Sequence, residues 1–121
     1  MTAPRMLVDA GRDLWLGTGC VGCGRPGRVL CAQCDSTLPR AGVPAWPSPS
    51  PAGLAAPYAG GDYDGLLKAL VNQHKERGLL SLAGPLGRVL AQVVTSAVAA
   101  PGQAPAAAPP AQVWLVPVPS R

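Results

Sequence analysis

The sequence predicts a mixed α/β protein in which a four-cysteine unit precedes helices and a strand. Four cysteines form two Cys-x-x-Cys pairs within residues 20–34. Two further segments, 62–77 and 81–100, have the apolar periodicity of helices. Residues 113–116 are a continuous apolar run, which is typical of a strand buried on both faces in a sheet covered by helices.

The composition limits the classes of protein to which the chain can belong. Its 121 residues suffice for about one domain, which excludes a large multidomain enzyme. Because 48% of the residues are hydrophobic and only 13% are charged, the chain is not a highly charged disordered protein. Its net charge of +4 is spread without a run of Lys or Arg, so a nucleic-acid partner has only weak support.

The start of the chain and its most apolar stretch predict where the protein resides. Residues 4–17 have the spacing of a short amphipathic helix, but charged residues interrupt it, so no secretory signal is predicted. The most apolar stretch, 89–100, is shorter than the ~18 apolar residues of a membrane span. We therefore expect a cytoplasmic protein without a membrane partner, in which cysteines bind metal more often than they form disulfides.

Each helical segment carries its own start and stop signals. In the first, Asp62 or Asp64 can cap the N-terminus and Gly78 can end the helix. In the second, Ser81 is the predicted cap, and Pro85 falls in the first turn, where its missing N–H costs little. The apolar stripes expected to face the core contain Leu67, Leu70, Val71 and His74 in the first helix, and Leu82, Leu86, Val89, Leu90, Val93 and Ala97 in the second.

The remaining segments predict linkers and one strand. The proline-rich residues 39–57 are expected to link an N-terminal helix and four-cysteine unit (1–38) to a second domain (58–121). A second low-complexity linker, 101–112, precedes the predicted strand at 113–116, which Pro117 and Pro119 end. Because a doubly buried strand needs neighbours on both sides, we expect the 121 residues to be the N-terminal part of a larger α/β domain.

The cysteine spacing is the strongest chemical signal in the chain. Cys20 and Cys23 form one pair, and Cys31 and Cys34 form the other. Two such pairs in a cytoplasmic protein predict a tetrahedral Zn²⁺ site with sulfur ligands at about 2.3 Å. Four thiolates leave no open position for water, so the predicted role is structural. An iron centre, disulfides and a redox-active Cys-x-x-Cys remain as alternatives.

Residues beside the cysteines predict how the ligands are presented. Residues 25–28 are expected to reverse the chain, so that Val29 and Leu30 return as a short strand. Arg25 and Arg28 in that turn can offset part of the −2 charge of a zinc ion with four thiolates. Three residues can supply the positive φ angles that tight ligand turns use: Gly22, Gly24 and Asp35.

Two basic residues at the end of the first predicted helix have two interpretations. Lys75 and Arg77 can complement the negative end of the helix dipole, or they can face an anionic ligand. His74 lies on the apolar stripe, which favours core packing over catalysis. Ser120 and Arg121 follow the predicted strand, where ligands bind in open parallel sheets, and their side chains suit a phosphate.

The ordered set of motifs resembles the N-terminal portion of the ComF family, phosphoribosyltransferase-like proteins linked to bacterial competence. Its Ala-, Pro- and Gly-rich linkers are similar to those of actinobacterial members. Besides the cysteine pairs, the motifs are Tyr-Asp-Gly at 63–65, His-Lys-Glu-Arg-Gly at 74–78, Leu-Ala-Gly-Pro-Leu-Gly at 82–87 and Leu-Val-Pro-Val-Pro-Ser-Arg at 115–121.

The resemblance implies a zinc ribbon followed, from near Tyr58, by the first helices and first core strand (113–118) of an incomplete type I phosphoribosyltransferase fold. It implies that the complete protein binds phosphoribosyl diphosphate, with Mg²⁺ as a cofactor of that form. The residues it implies for metal are Cys20, Cys23, Cys31 and Cys34, and those for substrate are Lys75, Arg77, Ser120 and Arg121. It identifies no catalytic residue.

The sequence departs from the family pattern in one important respect. The acidic, Thr- and Gly-rich loop that binds ribose and the 5-phosphate in the family is not among the 121 residues, so catalysis by this chain alone is not expected. Three functional hypotheses follow. The chain is the front part of a ComF-like phosphoribosyltransferase, a zinc-ribbon module that binds a protein or single-stranded DNA in the DNA-uptake machinery, or a truncated product without function.

Overall fold

The computed structural model describes residues 19–101 and 113–119, so the helix predicted at 4–17 lies outside the described residues. The described elements combine helices with one small antiparallel sheet, in agreement with a mixed α/β class. In chain order they are α1 (Ala32–Ser36), β1 (Val43–Pro44), β2 (Tyr58–Ala59), α2 (Gly65–Arg77), a 3-10 turn (Leu80–Leu82) and α3 (Ala83–Ala99).

Helix α2 begins and ends where the sequence predicts. The side chain of Asp64 accepts a hydrogen bond from the Gly65 N–H at 2.7 Å. Gly78 ends the helix with a φ of 64°, a left-handed conformation that glycine adopts without strain. A ring nitrogen of the half-buried His74 lies 3.1 Å from the carbonyl oxygen of Leu79. His74 therefore makes a local polar contact just beyond the helix end, and its predicted packing in the core stays a prediction.

The start of helix α3 differs from the prediction. Ser81 lies in the 3-10 turn, and the residue before the helix is Leu82, which makes no side-chain cap. The predicted Ser81 cap is wrong because the additional turn moves the helix start to Ala83. Leu90, predicted to face inward, is 58% exposed, because the small core covers a narrower face of the helix than the apolar stripe spans.

The short sheet lies against helix α3 at two glycines. The register pairs Val43 with Ala59 and Pro44 with Tyr58. The Gly42 N–H donates to Ser96 Oγ at 2.8 Å, and a Cβ at Gly42 would lie 2.8 Å from the Val93 Cα. A Cβ at Gly60 would lie 2.7 Å from Val89 Cγ1. Only glycine permits this close approach, which holds one end of the 39–57 segment on helix α3. The predicted domain boundaries stay a prediction.

One small apolar cluster forms the core of the described residues. Leu38 follows the four-cysteine segment, Leu70 comes from α2, Leu82 from the 3-10 turn and Val89 from α3. The core therefore joins the cysteine-rich segment to both helices. Half-buried side chains pack around it: Val21, Val29, Leu30, Leu66, Leu67, Leu79 and Leu86.

Residues 113–119 do not form the predicted buried strand. They belong to no helix or strand, and their large apolar side chains are exposed, from 49% at Val113 to 91% at Val118. No strand among the described residues lies beside them. Burial would therefore leave their backbone N–H and C=O groups unpaired, which is costly. The arrangement thus does not confirm a phosphoribosyltransferase fold.

Among the described residues, one segment is long and apolar enough to cross a membrane by length and composition. It spans Leu80–Ala99, has a mean hydropathy of 1.3 and is 6% buried. This segment extends beyond the apolar stretch at 89–100, from which no span was predicted. A single helix of this kind is weak evidence for a membrane span, so the cytoplasmic location stays a prediction.

Candidate metal centre

The four cysteine sulfurs converge on one point. The Sγ atoms of Cys20, Cys23, Cys31 and Cys34 all lie within 4.8 Å of one another, and none is in a disulfide. The Sγ atoms of Cys23 and Cys31 are 3.6 Å apart. Four sulfurs at about 2.3 Å from a tetrahedral ion lie about 3.8 Å from one another. The cluster can therefore hold one metal ion such as zinc, as the spacing predicts.

A tight turn presents the first cysteine pair. The Cys20 N–H donates to the Arg25 carbonyl at 2.8 Å, and the Gly24 N–H donates to the Cys20 carbonyl at 2.8 Å. Gly24 has a φ of 74°, as predicted for this turn. The turn therefore depends on the backbone freedom of Gly24.

Gly22 is required for a different reason from the one the sequence suggests. Its φ is not among the positive values, so the predicted conformational role is wrong. A Cβ at this position would instead lie 2.7 Å from Cys34 Sγ and 3.0 Å from Leu66 Cδ1. Glycine thus lets the first turn lie directly against a ligand of the second pair and against helix α2.

A helix start, rather than a second turn, presents the other pair. Cys31 caps α1, and its sulfur accepts from the Cys34 N–H at 3.4 Å. Asp35 lies inside α1 and has no positive φ, so its predicted turn role is wrong. Cys-x-x-Cys spacing permits both geometries, because residues three apart also lie on one face of a helical turn.

The segment between the pairs returns without forming a strand. The Val21 N–H donates to the Val29 carbonyl at 2.8 Å, and an isolated bridge joins Gly19 to Pro26. The strand predicted at Val29 and Leu30 is wrong, because this hydrogen bond and the isolated bridge do not continue into a ladder. Two side chains expected to offset the metal-site charge, Arg25 and Arg28, are exposed.

Hydrogen bonds and burial shift the pKa values of Cys20, Cys31 and Cys34, and not all in the same direction. Burial raises the pKa of the Cys20 thiol, but N–H groups of Cys31, Cys23 and Gly22 donate to its sulfur and lower the pKa to about 6 overall. The N–H of Cys34 lowers the pKa of Cys31. The hydrogen bond with Cys31 and burial raise the pKa of Cys34 to about 12. A bound cation would favour the thiolate at every position.

An ion pair missed by sequence reasoning connects the site to helix α3. Arg88 Nη2 lies 2.5 Å from Asp35 Oδ1, beside the last cysteine of the cluster. The pair is separated by 53 residues, so no local pattern could reveal it. Both side chains are exposed, and pairs of this kind add little stability.

The predicted substrate residues are not brought together within the described residues. Lys75 and Arg77 lie in the last turn of α2 with exposed side chains, a placement compatible with both of their interpretations. Ser120 and Arg121 lie outside the described residues. The assignment of all four to substrate therefore stays a prediction.

No protein-family model, curated protein or solved structure matches this chain. The resemblance to the ComF family thus rests on its sequence motifs alone. Among the described residues, the cysteine cluster is the site whose metal-binding chemistry can be inferred from the positions of its side chains.

Proposed function

We propose that the four cysteines hold a structural Zn²⁺ that fastens residues 19–38 to the helices of a ComF-like phosphoribosyltransferase-family protein. The convergence of four sulfurs within 4.8 Å carries the metal part of this proposal. Thiolate ligands in a tetrahedral arrangement suit zinc, and four of them leave no position for substrate. The site therefore stabilises structure rather than catalysing a reaction.

The surroundings of the cluster support a structural role. Gly22 brings the first turn against Leu66 of α2, and Leu38, directly after α1, belongs to the core. The cysteine-rich segment has few apolar side chains of its own, and such segments usually need a metal to fold. Zinc bound here would position the segment on the helices.

The phosphoribosyltransferase part of the proposal rests on the order of the motifs. In the complete protein, phosphoribosyl diphosphate with Mg²⁺ would be the ligand, and basic side chains would stabilise the leaving pyrophosphate. The exposure of Lys75 and Arg77 leaves both available to such an anion.

The metal part is tested by elemental analysis and X-ray absorption at the zinc edge on the purified chain. We expect one zinc per chain with four sulfur neighbours at about 2.3 Å. A chain without metal and with four titratable thiols would overturn the zinc site. Gln33→Ala, at an exposed position between two ligands, is the matched control and should retain the metal.

The phosphoribosyltransferase part is tested separately by sequencing the coding DNA beyond codon 121. We expect it to continue, in frame or after one frameshift, into an Arg-Gly stretch and an acidic, Thr- and Gly-rich loop. A stop codon followed by unrelated sequence would overturn this part and leave the zinc site unaffected.

A further inference from the structure

The four ligands of the cysteine cluster differ in how far their sulfurs are shielded. Cys20 and Cys31 are buried, at 4% and 8% exposure, whereas Cys23 is exposed. Cys34 is half-buried, and a Cβ added at Gly22 would lie 2.7 Å from its sulfur, so the first turn covers it. Among the residues that the structure describes, Cys23 is therefore the ligand most open to a reagent in solution.

Hydrogen bonds also set Cys23 apart from the buried ligands. The Cys20 sulfur accepts from the N–H groups of Gly22 at 3.4 Å and Cys31 at 3.3 Å. The Cys31 sulfur accepts from the Cys34 N–H at 3.4 Å. No N–H group in the described part of the chain donates to the sulfur of Cys23. Because a donated hydrogen bond withdraws electron density from a thiolate, Cys23 keeps the most nucleophilic sulfur that solvent can reach.

A partner sulfur lies close to Cys23. The Sγ atom of Cys23 is 3.6 Å from that of Cys31, and the two residues belong to different Cys-x-x-Cys pairs. The susceptibility of a cysteine to oxidation follows its thiolate character and exposure, and a neighbouring thiol completes the disulfide. We propose that Cys23 is the site at which a peroxide oxidises the zinc-loaded cluster, and that Cys31 is its disulfide partner. The proposal rests on the zinc site proposed above.

The oxidation takes place in two balanced steps. The Cys23 thiolate attacks one oxygen of hydrogen peroxide; an S–O bond forms, the O–O bond breaks, and hydroxide leaves a sulfenic acid behind. The Cys31 thiolate then attacks the Cys23 sulfur; the S–S bond forms and the S–O bond breaks with release of a second hydroxide. The two sulfurs lose two electrons in total, and the two peroxide oxygens gain them. Two thiolates then remain of the four that a structural zinc site requires, so the ion is released.

The test uses the zinc-loaded full chain, whose zinc content is measured first. The chain is treated with about one equivalent of hydrogen peroxide, and released zinc is followed with a chromogenic indicator. We expect zinc release together with a disulfide between Cys23 and Cys31. Trypsin cleaves after Arg28, between the two pairs, so this disulfide joins two peptides that mass spectrometry detects as one. In a separate sample, limiting iodoacetamide should alkylate Cys23 about tenfold faster than any other cysteine.

Two variants show whether the exposed sulfur determines the rate. Cys23→His keeps four ligands for zinc, three cysteines and one histidine, and removes the exposed sulfur. It should slow the release of zinc by peroxide about tenfold. Gln33→Ala, at an exposed position between two ligands, is the control and should release zinc at the unaltered rate.

The outcomes separate this proposal from the zinc site itself. In a zinc-loaded chain, a first disulfide within one Cys-x-x-Cys pair, or first alkylation at another cysteine, overturns the oxidation site and leaves the zinc site intact. Unchanged zinc release from zinc-loaded Cys23→His does the same. A chain that holds no zinc before treatment overturns the metal part of the proposed function, and this proposal with it.

Discussion

The cysteine-rich segment and the helical pair are stabilised by different kinds of interaction. Residues 19–38 converge through four sulfurs, and the only buried aliphatic side chain they contribute to the core is Leu38. Helices α2 and α3 are held by Leu70, Leu82 and Val89, two of which are almost completely buried. One segment therefore converges on a cysteine cluster that can hold a metal ion, and the other depends on apolar burial.

The shared core determines how far a disturbance spreads between these regions. Because Leu38 packs with Leu70, a disordered cysteine segment also removes contacts from helix α2. Loss of an apolar side chain in α2 removes no ligand from the cysteine cluster, because all four sulfurs come from residues 20–34. We therefore expect damage to spread from the metal site to the helices more than in the reverse direction.

The largest effect is expected from Cys31→Ser. It replaces a thiolate ligand by a hydroxyl, which can still cap α1 but is a poor zinc ligand, at a position only 8% exposed. Structural zinc contributes about 10–16 kcal/mol of apparent binding free energy in zinc-finger peptides, so its loss should unfold residues 19–38. Elemental analysis and amide NMR spectra check this, and full zinc binding by the variant would contradict the account.

The next largest effect is expected from Leu70→Ala, at a fully buried position in α2. The truncation leaves a cavity in a small core and should lower the free energy of unfolding by about 2–5 kcal/mol. Leu90→Ala makes the same change at a 58% exposed position and should alter it by less than about 0.5 kcal/mol. Urea unfolding of both variants measures the difference; similar losses would show that the core is elsewhere.

Gly22→Ala should weaken metal binding while leaving the helices folded. Its Cβ would lie 2.7 Å from a ligand sulfur, so Cys34 must move to accommodate it. Displacement of a ligand by its neighbour should lower zinc affinity about 10–100-fold, as measured by competition with a chromogenic chelator. Gly84→Ala, in open space on α3, is the control. Unchanged affinity for Gly22→Ala would mean that the two turns do not meet as described.

A smaller effect is expected from pH in the metal-free protein. Backbone N–H groups lower the pKa of Cys20 to about 6 despite its burial, compared with 9.0 for an ordinary cysteine. The stability that this thiolate contributes is fully present above pH 9 and is lost as the pH falls through 6. Absorbance of the thiolate near 240 nm should show one ionisation near pH 6 that is missing in Cys20→Ser. An unchanged titration in that variant would contradict the assignment.

Short sequence motifs correctly predicted those features that depend on contacts between residues close together in the sequence. The Cys-x-x-Cys spacing brings each ligand pair together within one turn. The side chain of Asp64 caps the start of α2, and the left-handed backbone of Gly78 ends it. Leu90 could not be placed from its stripe, because burial depends on which neighbours the fold supplies.

The errors at Gly22 and in residues 113–118 have the same origin. Gly22 is constrained by Leu66, which is distant in sequence, and a glycine gives the same signal for close contact as for a positive φ. The apolar run has the pattern of a buried strand, but its burial requires a partner strand that the described residues do not supply. Periodicity predicts the preference of a segment and not the presence of its neighbour.

Thermal unfolding with and without zinc tests the central claim most directly. Far-UV circular dichroism should show a single cooperative transition in the zinc-loaded chain. Removal of zinc by a chelator should lower the Tm by ten degrees or more for a domain of about 100 residues and broaden the transition, because both regions share one core. An unchanged Tm after complete zinc removal would contradict the account, since the helices would then fold independently of the metal centre.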